Sequence, residues 1–398
     1  MKEISRIASN VQASTTLQVD ALYKQMKADG KDVVGFAAGE PDFDTPDYIK
    51  EAAGKAISSG YTKYTPSGGM PGLRRAIADR LAADFGLEYT QKQIVVTSGA
   101  KHSIYIALRT LINPGDEVLL PAPYWVTYAE SIRMVGGVPV IVSAPETNDF
   151  KITKQQLEAA VTDRSKLLVI NNPSNPTGTL YSEDELRGFA DVCEKHDLFI
   201  ISDEIYCNLV YDGKKFKSIA EFGETIKERT IIINGVSKSY AMTGWRIGYS
   251  ASNARLAKVM EDYLSHSTGS PCTISQMAAT QALTASQESV ANMRTEFEKR
   301  RDYLVGRING IDGVSCRKPD GAFYIMLNIE KLIGSTLGGK LIGNSDDFSL
   351  AFLESEMVAT VSCSGFGCDD FVRLTYAASI ESIKEGMDRL ERFVGSRA

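Results

Sequence analysis

Histidine and cysteine are scarce in this 398-residue chain and nowhere grouped. The three histidines, His102, His196 and His266, lie far apart, and their spacing proposes no metal centre. Six cysteines are scattered from Cys193 to Cys368 without a C-x-x-C pair, which reads as reduced thiols and not as a disulfide frame or a zinc site. Long apolar runs are absent as well. Nothing approaches the ~20 residues of a membrane span, and the opening Met1-Lys2-Glu3-Ile4-Ser5-Arg6 lacks the apolar centre of a secretory signal. Concentrated positive charge is also missing. The net charge is -6, and Arg300-Arg301 or Lys214-Lys215 are too short to make a nucleic-acid footprint. A cytosolic protein is expected, with no metal, no membrane partner and no nucleic-acid partner.

What remains is an ordinary globular composition, 43% hydrophobic and 24% charged, with enough chain for two or three domains and a cleft. From about residue 91 to 250, short β-branched runs alternate with longer amphipathic stretches, the pattern of a largely parallel α/β sheet. Strands are expected at 93–97, 117–120, 138–142, 166–170, 198–202, 230–234 and 246–250. Helices are expected at 101–111, 183–195 and 254–265. In open sheets of this kind functional groups gather beyond the carboxyl ends of the strands.

Several expected strands end in suggestive clusters, each with a plainer explanation beside it. Ser98-Gly99-Ala100-Lys101 opens a helix whose free N–H groups suit a phosphate, although such junctions are more often plain turns. Asp203-Glu204-Ile205-Tyr206 follows the 198–202 run, where Asp203 is either a helix cap or the partner of a protonated ring nitrogen. Asn175, within Asn171-Asn172-Pro173-Ser174-Asn175-Pro176-Thr177-Gly178, either shapes a turn or donates to a ligand oxygen. Lys238 lies in Ser237-Lys238-Ser239-Tyr240 directly after a strand, followed eight residues later by Arg246. A lysine so placed would form a Schiff base with a carbonyl cofactor while the arginine held its phosphate. Gly334-Ser335-Thr336-Leu337-Gly338-Gly339-Lys340-Leu341 nearly spells a nucleotide-phosphate loop. It fails at Leu341, which has no hydroxyl for magnesium, and an exposed loop is expected there.

In order along the chain, Gly39-Glu40-Pro41-Asp42-Phe43, Tyr64-Thr65-Pro66-Ser67-Gly68, Asn175-Pro176-Thr177-Gly178, Asp203-Glu204-Ile205-Tyr206, the Lys238 segment and Gly321-Ala322-Phe323-Tyr324 resemble the class I aminotransferases of pyridoxal-phosphate fold type I. The resemblance implies an α/β fold with a large domain over 46–285, carrying a mostly parallel mixed sheet, and a smaller α+β domain from 1–45 and 286–398. It implies pyridoxal 5'-phosphate as cofactor and a homodimer with shared sites. Lys238 becomes the cofactor-bound lysine and proton shuttle, Asp203 the partner of the pyridine nitrogen, and Tyr206 and Asn175 the partners of the ring oxygen. Trp125 would stack on the ring. Gly99, Ala100, Lys101, Ser237 and Arg246 would surround the phosphate, with Tyr64 reaching in from the neighbouring subunit.

For the substrate, the resemblance assigns Arg373 to the α-carboxylate, a planar anion suited to a guanidinium fork. Gly39, Trp125 and Asn175 complete the wall. Lys101 sits where an aspartate-using subgroup carries a lysine for the distal carboxylate, which favours aspartate as donor and 2-oxoglutarate as acceptor. Aromatic or alanine specificity and a carbon–sulfur β-lyase would share nearly every residue named. A cofactor-binding transcription regulator would need a helix-turn-helix domain for which the stretch before Gly39 is too short. Two departures stand out: Gly235 replaces a serine common three residues before the lysine, and Ser362-Cys363 replaces a usual Pro-Gly, leaving that loop's shape open.

Overall fold

The computed structural model describes residues 2–9, 11–13 and 15–397. Seven strands form one sheet in the order Ile94–Thr97, Gly248–Ala251, Thr230–Gly235, Phe199–Asp203, Ser165–Asn171, Glu117–Ala122, Val138–Ser143. Every run expected from the β-branched patches enters it. The central strands are buried along most of their length, as parallel strands with both faces covered must be. Most bounds move by one or two residues, and one of these shifts takes a candidate site residue out of the sheet. The run expected over 246–250 starts two residues later, because Arg246 takes a left-handed φ of 56° at the end of a short turn and cannot extend a ladder.

Gly248–Ala251 is antiparallel to both its neighbours, while all the other pairings are parallel. Six carboxyl ends therefore reach the same edge of the sheet, and the start of Gly248–Ala251 joins them there. Along that edge Asn171 pairs with Asp203, Asp203 with Ile233, and Gly248 with both Gly235 and Thr97. Helices cover the faces. Glu183–Lys195, for example, begins with a capping box between Ser182 and Glu185, places three acids in its first turn and ends on Lys195, so cap and dipole agree with its ends.

A second, antiparallel sheet runs Val361–Ser362, Phe371–Thr375, Tyr324–Asn328, Ser315–Cys316. It packs with the helices Glu288–Asn309, Ser345–Glu356 and Ile380–Gly395 around a core that includes Phe297, Phe323, Phe348, Phe352 and Phe393. Val34–Gly35 pairs in parallel with Val358–Ala359, which fastens the N-terminal segment to this later part of the chain. The near phosphate-loop sequence is a hairpin and not an irregular loop: Thr336–Leu337 pairs with Lys340–Leu341 across Gly338 and Gly339, both at positive φ, and Lys340 pairs with Glu354. No helix start follows the lysine there, so the cradle such a loop needs is missing.

Glycine fixes how closely the helix Ala100–Leu111 approaches the sheet edge. A Cβ on Gly248 would overlap the backbone of Gly99 and Ala100. The same edge explains Gly235, since a Cβ there would stand 2.9 Å from the Ile247 carbonyl oxygen and 3.0 Å from Gly248 Cα. Serine at 235 has no room. Gly248→Ala is expected to lower stability by about 1–3 kcal/mol in urea unfolding, the usual cost of overpacking, and to displace the helix start. Gly54→Ala, in an open helical position, should instead raise it by about 0.5–1 kcal/mol. Equal effects at the two glycines would refute the close-approach argument.

Candidate active site

Between the strand edge and the second sheet lies a cavity of about 460 Å³. Its wall carries Gly39, Ala100, Lys101, Trp125, Asn175, Asp203, Tyr206, Ser237, Lys238, Arg246 and Arg373, so the structure brings most of the sequence-derived site residues together. Two lie off that wall. Gly99 caps the helix behind Ala100 at a φ of 87°, and a Cβ on it would overlap the Arg246 guanidinium. Tyr64 is fully exposed and does not line the cavity.

Asp203 ends its strand with the carboxylate buried and, among the described residues, without an ion-pair partner. Burial pushes its pKa up to about 6, opposed by the Tyr128 hydroxyl, which donates to Oδ2 at 2.6 Å, and by the Ile205 N–H, which donates to Oδ1 at 3.2 Å. Tyr128 also sets its ring edge-on to Trp125, with centroids 5.5 Å apart. Apart from the longer-range pull of Lys238, this buried carboxylate has no cationic partner among the described residues, and it suits a cation brought by a ligand.

Arg373 presents the converse case. It is 1% exposed, its two terminal nitrogens donate to Asn175 Oδ1 at 3.1 Å and the Ala37 carbonyl at 3.0 Å, and its Nε has no partner. No carboxylate answers it among the described residues. A buried guanidinium that uses only two of its five N–H donors, both on neutral acceptors, and leaves Nε unpartnered suits a planar anion.

Lys238 stands between them. Its Nζ donates to the Gly39 carbonyl at 2.6 Å, and burial lowers its pKa to about 8, with Glu40 opposing that shift and Arg373 and Arg246 adding to it. Such an amine is still mostly protonated at neutral pH, but it gives up its proton far more readily than an ordinary lysine and so reaches its nucleophilic form more easily. At the cavity's other end the unpaired first N–H groups of Ala100–Leu111 meet Ser237 and the Arg246 guanidinium, which donates to the Thr243 carbonyl at 2.9 Å. That end suits a dianionic phosphate. Lys101 extends over Trp125, 4.9 Å from the ring centroid, and burial followed by Arg246 lowers its pKa.

The arrangement fits pyridoxal phosphate from end to end: a cationic cradle, an amine for the aldehyde, an aromatic face and an unneutralised carboxylate. Sequence reasoning missed several wall residues. Tyr128 follows Trp125 by three positions, a spacing that could have flagged it. Glu40, whose carboxylate accepts from Thr243 Oγ1 at 2.7 Å, lay inside a quoted motif without a role. Thr16 and Lys24, from the helix Thr15–Ala28, reach the wall with no local signal at all. The Ser362-Cys363 loop has a defined shape: Ser362 Oγ lies within hydrogen-bond reach of the Ser345 and Ser364 hydroxyls, and Cys363 is buried against Met326. It delivers the Phe366 ring against Arg373, 5.4 Å away.

Beside Asp203, Glu204 turns into the opposite face, where Ser202 and Ser218 donate to its Oε1 at 2.8 and 2.5 Å. Burial pushes its carboxyl to about 8 from an ordinary 4.5. Between those values the folded protein keeps a proton that the unfolded chain has lost, so this contribution to stability is full below the lower value and lost as pH rises through the window. The loss is on the order of a few kcal/mol. Glu204→Gln should flatten the pH dependence of urea unfolding over that range and raise stability at its alkaline end. An unchanged pH profile in the variant would assign the effect elsewhere.

Comparison with known proteins agrees with this geometry. The family model described as aminotransferase class I and II matches residues 31–390. The chain is 46% identical over 398 residues to the aspartate aminotransferase of Geobacillus stearothermophilus, with 100% of both chains covered. It is 43% identical over 395 residues to the aspartate/prephenate aminotransferase of Cereibacter sphaeroides, covering 99% of each. Among solved structures, the aspartate aminotransferase of Rhizobium meliloti superposes with a TM-score of 0.95 at 38% identity over 100% of both chains. That of Thermus thermophilus with maleate gives 0.93 at 36% identity, over 99% of this chain and 100% of the other. The chain belongs to the class I and II aminotransferase family, fold-type I enzymes that work with pyridoxal 5'-phosphate.

Proposed function

We propose that this enzyme moves the amino group of L-aspartate to 2-oxoglutarate, and that the residues facing the cavity divide the work as follows. The observation that carries the reading is the pair of buried, unneutralised charges, Asp203 and Arg373, on opposite sides of a nucleophilic lysine. Pyridoxal phosphate, when bound, supplies an aldehyde that condenses with amines and a ring that accepts the electron pair left at the substrate's α-carbon. Gly99, Ala100, Lys101, Ser237 and Arg246 hold its phosphate. Trp125 covers its ring, Tyr206 and Asn175 face the ring oxygen, and Asp203 keeps the ring nitrogen protonated.

Arg373 grips the substrate α-carboxylate with Gly39 and Asn175 beside it. Lys238 Nζ would take the proton from the substrate's α-carbon and hold it for return later in the reaction. Lys101 receives the distal carboxylate. This assignment is supported by the names of the relatives and by the position of Lys101 over Trp125.

The same reading divides the chain into a large domain over 46–285 and a smaller one from 1–45 and 286–398, closing around Gly39 and Arg373. It also makes the active species a homodimer, with Tyr64 serving the neighbour's phosphate; full exposure of that side chain supports it. Six free cysteines among the described residues support a cytosolic location.

Two outcomes are expected. Borohydride treatment of the cofactor-loaded enzyme should fix the cofactor on Lys238, as read by peptide mapping; an adduct on any other lysine would overturn the central assignment. Lys101→Ser should reduce kcat/KM for aspartate by about ten- to a hundredfold, the worth of a charge-assisted hydrogen bond, with alanine or an aromatic amino acid much less affected. The panel should include prephenate as an acceptor, because several relatives carry that name. Equal losses for acidic and neutral substrates would leave the aminotransferase without its aspartate preference.

A further inference from the structure

Gly321-Ala322-Phe323-Tyr324 has no part in the mechanism above, yet its last residue sits at the centre of the cavity wall. Tyr324 is 1% exposed and begins the strand Tyr324–Asn328 of the second sheet. Its hydroxyl lies 3.0 Å from the hydroxyl of Tyr206, which follows the large-sheet strand that ends at Asp203. The Arg373 guanidinium lies over its ring, 4.4 Å from the centroid. Gly39 passes so close that a Cβ there would stand 3.3 Å from the Tyr324 hydroxyl oxygen. One side chain thus touches the arginine, the backbone beside the lysine, and the tyrosine facing the ring oxygen.

Resting on the assignment of those residues to substrate and cofactor, we propose that Tyr324 is a positioning residue that couples the two: its ring seats Arg373 and its hydroxyl donates to Tyr206, leaving the Tyr206 proton directed at the cofactor's ring oxygen. Chains of hydroxyl donors polarise one another, so a donation to Tyr206 strengthens the donation Tyr206 makes in turn. A carboxylate arriving on Arg373 weakens the cation held against the Tyr324 ring and is felt at Tyr206 through this contact. The charged and titratable groups around Tyr206 are Tyr324, Arg373 and Asp203, and those around Tyr324 are Arg373, Tyr206 and Glu40. Both phenols are raised by burial and stay protonated through the neutral range, so each remains a donor.

The test reconstitutes the apoprotein with pyridoxal phosphate and follows the pH titration of the cofactor's visible band in wild type, Tyr324→Phe, Tyr206→Phe and the double variant. Phenylalanine keeps the ring beneath Arg373 and removes only the hydroxyl. The band's apparent pKa should rise by about half to one unit in Tyr324→Phe, since the ring oxygen keeps more of its charge and the neighbouring nitrogen holds its proton to higher pH. It should rise further in Tyr206→Phe and be no higher in the double variant, as expected for residues acting in series. Saturating succinate, an unreactive dicarboxylate, should shift the wild-type band, and Tyr324→Phe should at least halve that shift. An unchanged band in Tyr324→Phe, or the same increment with and without Tyr206, overturns the proposal. A wild-type protein that forms no titrating band at all would remove the assignment of Lys238 and leave nothing for Tyr324 to couple.

Discussion

Burying a charge without its opposite is among the costliest things a fold can do, and this structure does it twice within one cavity. Asp203 and Arg373 are each satisfied only by neutral groups. Around Asp203 those are a phenol and a backbone N–H, and around Arg373 an amide and a carbonyl oxygen. Neither arrangement is the best available to an isolated protein. Tyr128 cannot be an alkyl side chain, Asn175 must be held by Asn171 Oδ1 at 2.7 Å, and Ala37 must present its carbonyl to the second sheet. Much of the wall exists to make two unpaired charges tolerable until ligands complete them.

The sheet supplies the positions. Because all strands but one run the same way, Thr97, Ala122, Asn171, Asp203 and Gly235 finish at one edge, and the antiparallel strand brings Arg246 to it from the other direction. Side-chain-free contacts at Gly99, Gly235 and Gly248 then let a helix end, two strands and an arginine meet where any Cβ would hold them apart. The end of the cavity beside the helix start thus combines close-packed backbone with the Lys101, Ser237 and Arg246 side chains, while Asp203 and Arg373 face it elsewhere through side chains alone.

Much of this was legible in the sequence. Alternation of β-branched runs with amphipathic stretches marked all seven strands of the large sheet: burial leaves a strong compositional trace in the inner strands, and the largely exposed edge strand Val138–Ser143 shows through its β-branched residues. The residues at strand ends were readable for the same reason. Arg246 was misplaced into a strand, since a left-handed residue between apolar neighbours leaves no periodic mark. Gly235 looked like a missing hydroxyl and is instead a packing requirement, which only the approach of Gly248 reveals. Thr16 and Lys24 come to the wall through contacts hundreds of residues apart in sequence. Tyr128 and Glu204 acquire their significance from what surrounds them, and no local pattern distinguishes them from ordinary core residues.

The pairing of Val34–Gly35 with Val358–Ala359 bears on how the molecule is made. Phe36 donates to the Ala359 carbonyl and accepts from the Thr375 N–H, and Ala37 holds Arg373. Residues 34–37 therefore wait for partners more than 300 positions later in the chain. A nascent chain can assemble the seven-stranded sheet while synthesis continues, but the Ala37 carbonyl has no arginine to accept from until residue 373 has emerged. Contacts of such long sequence separation are slow to close. During that interval Lys238 lies beside a wall that still lacks Arg373, so the cavity takes its final shape only when residues 34–39 and 373 meet.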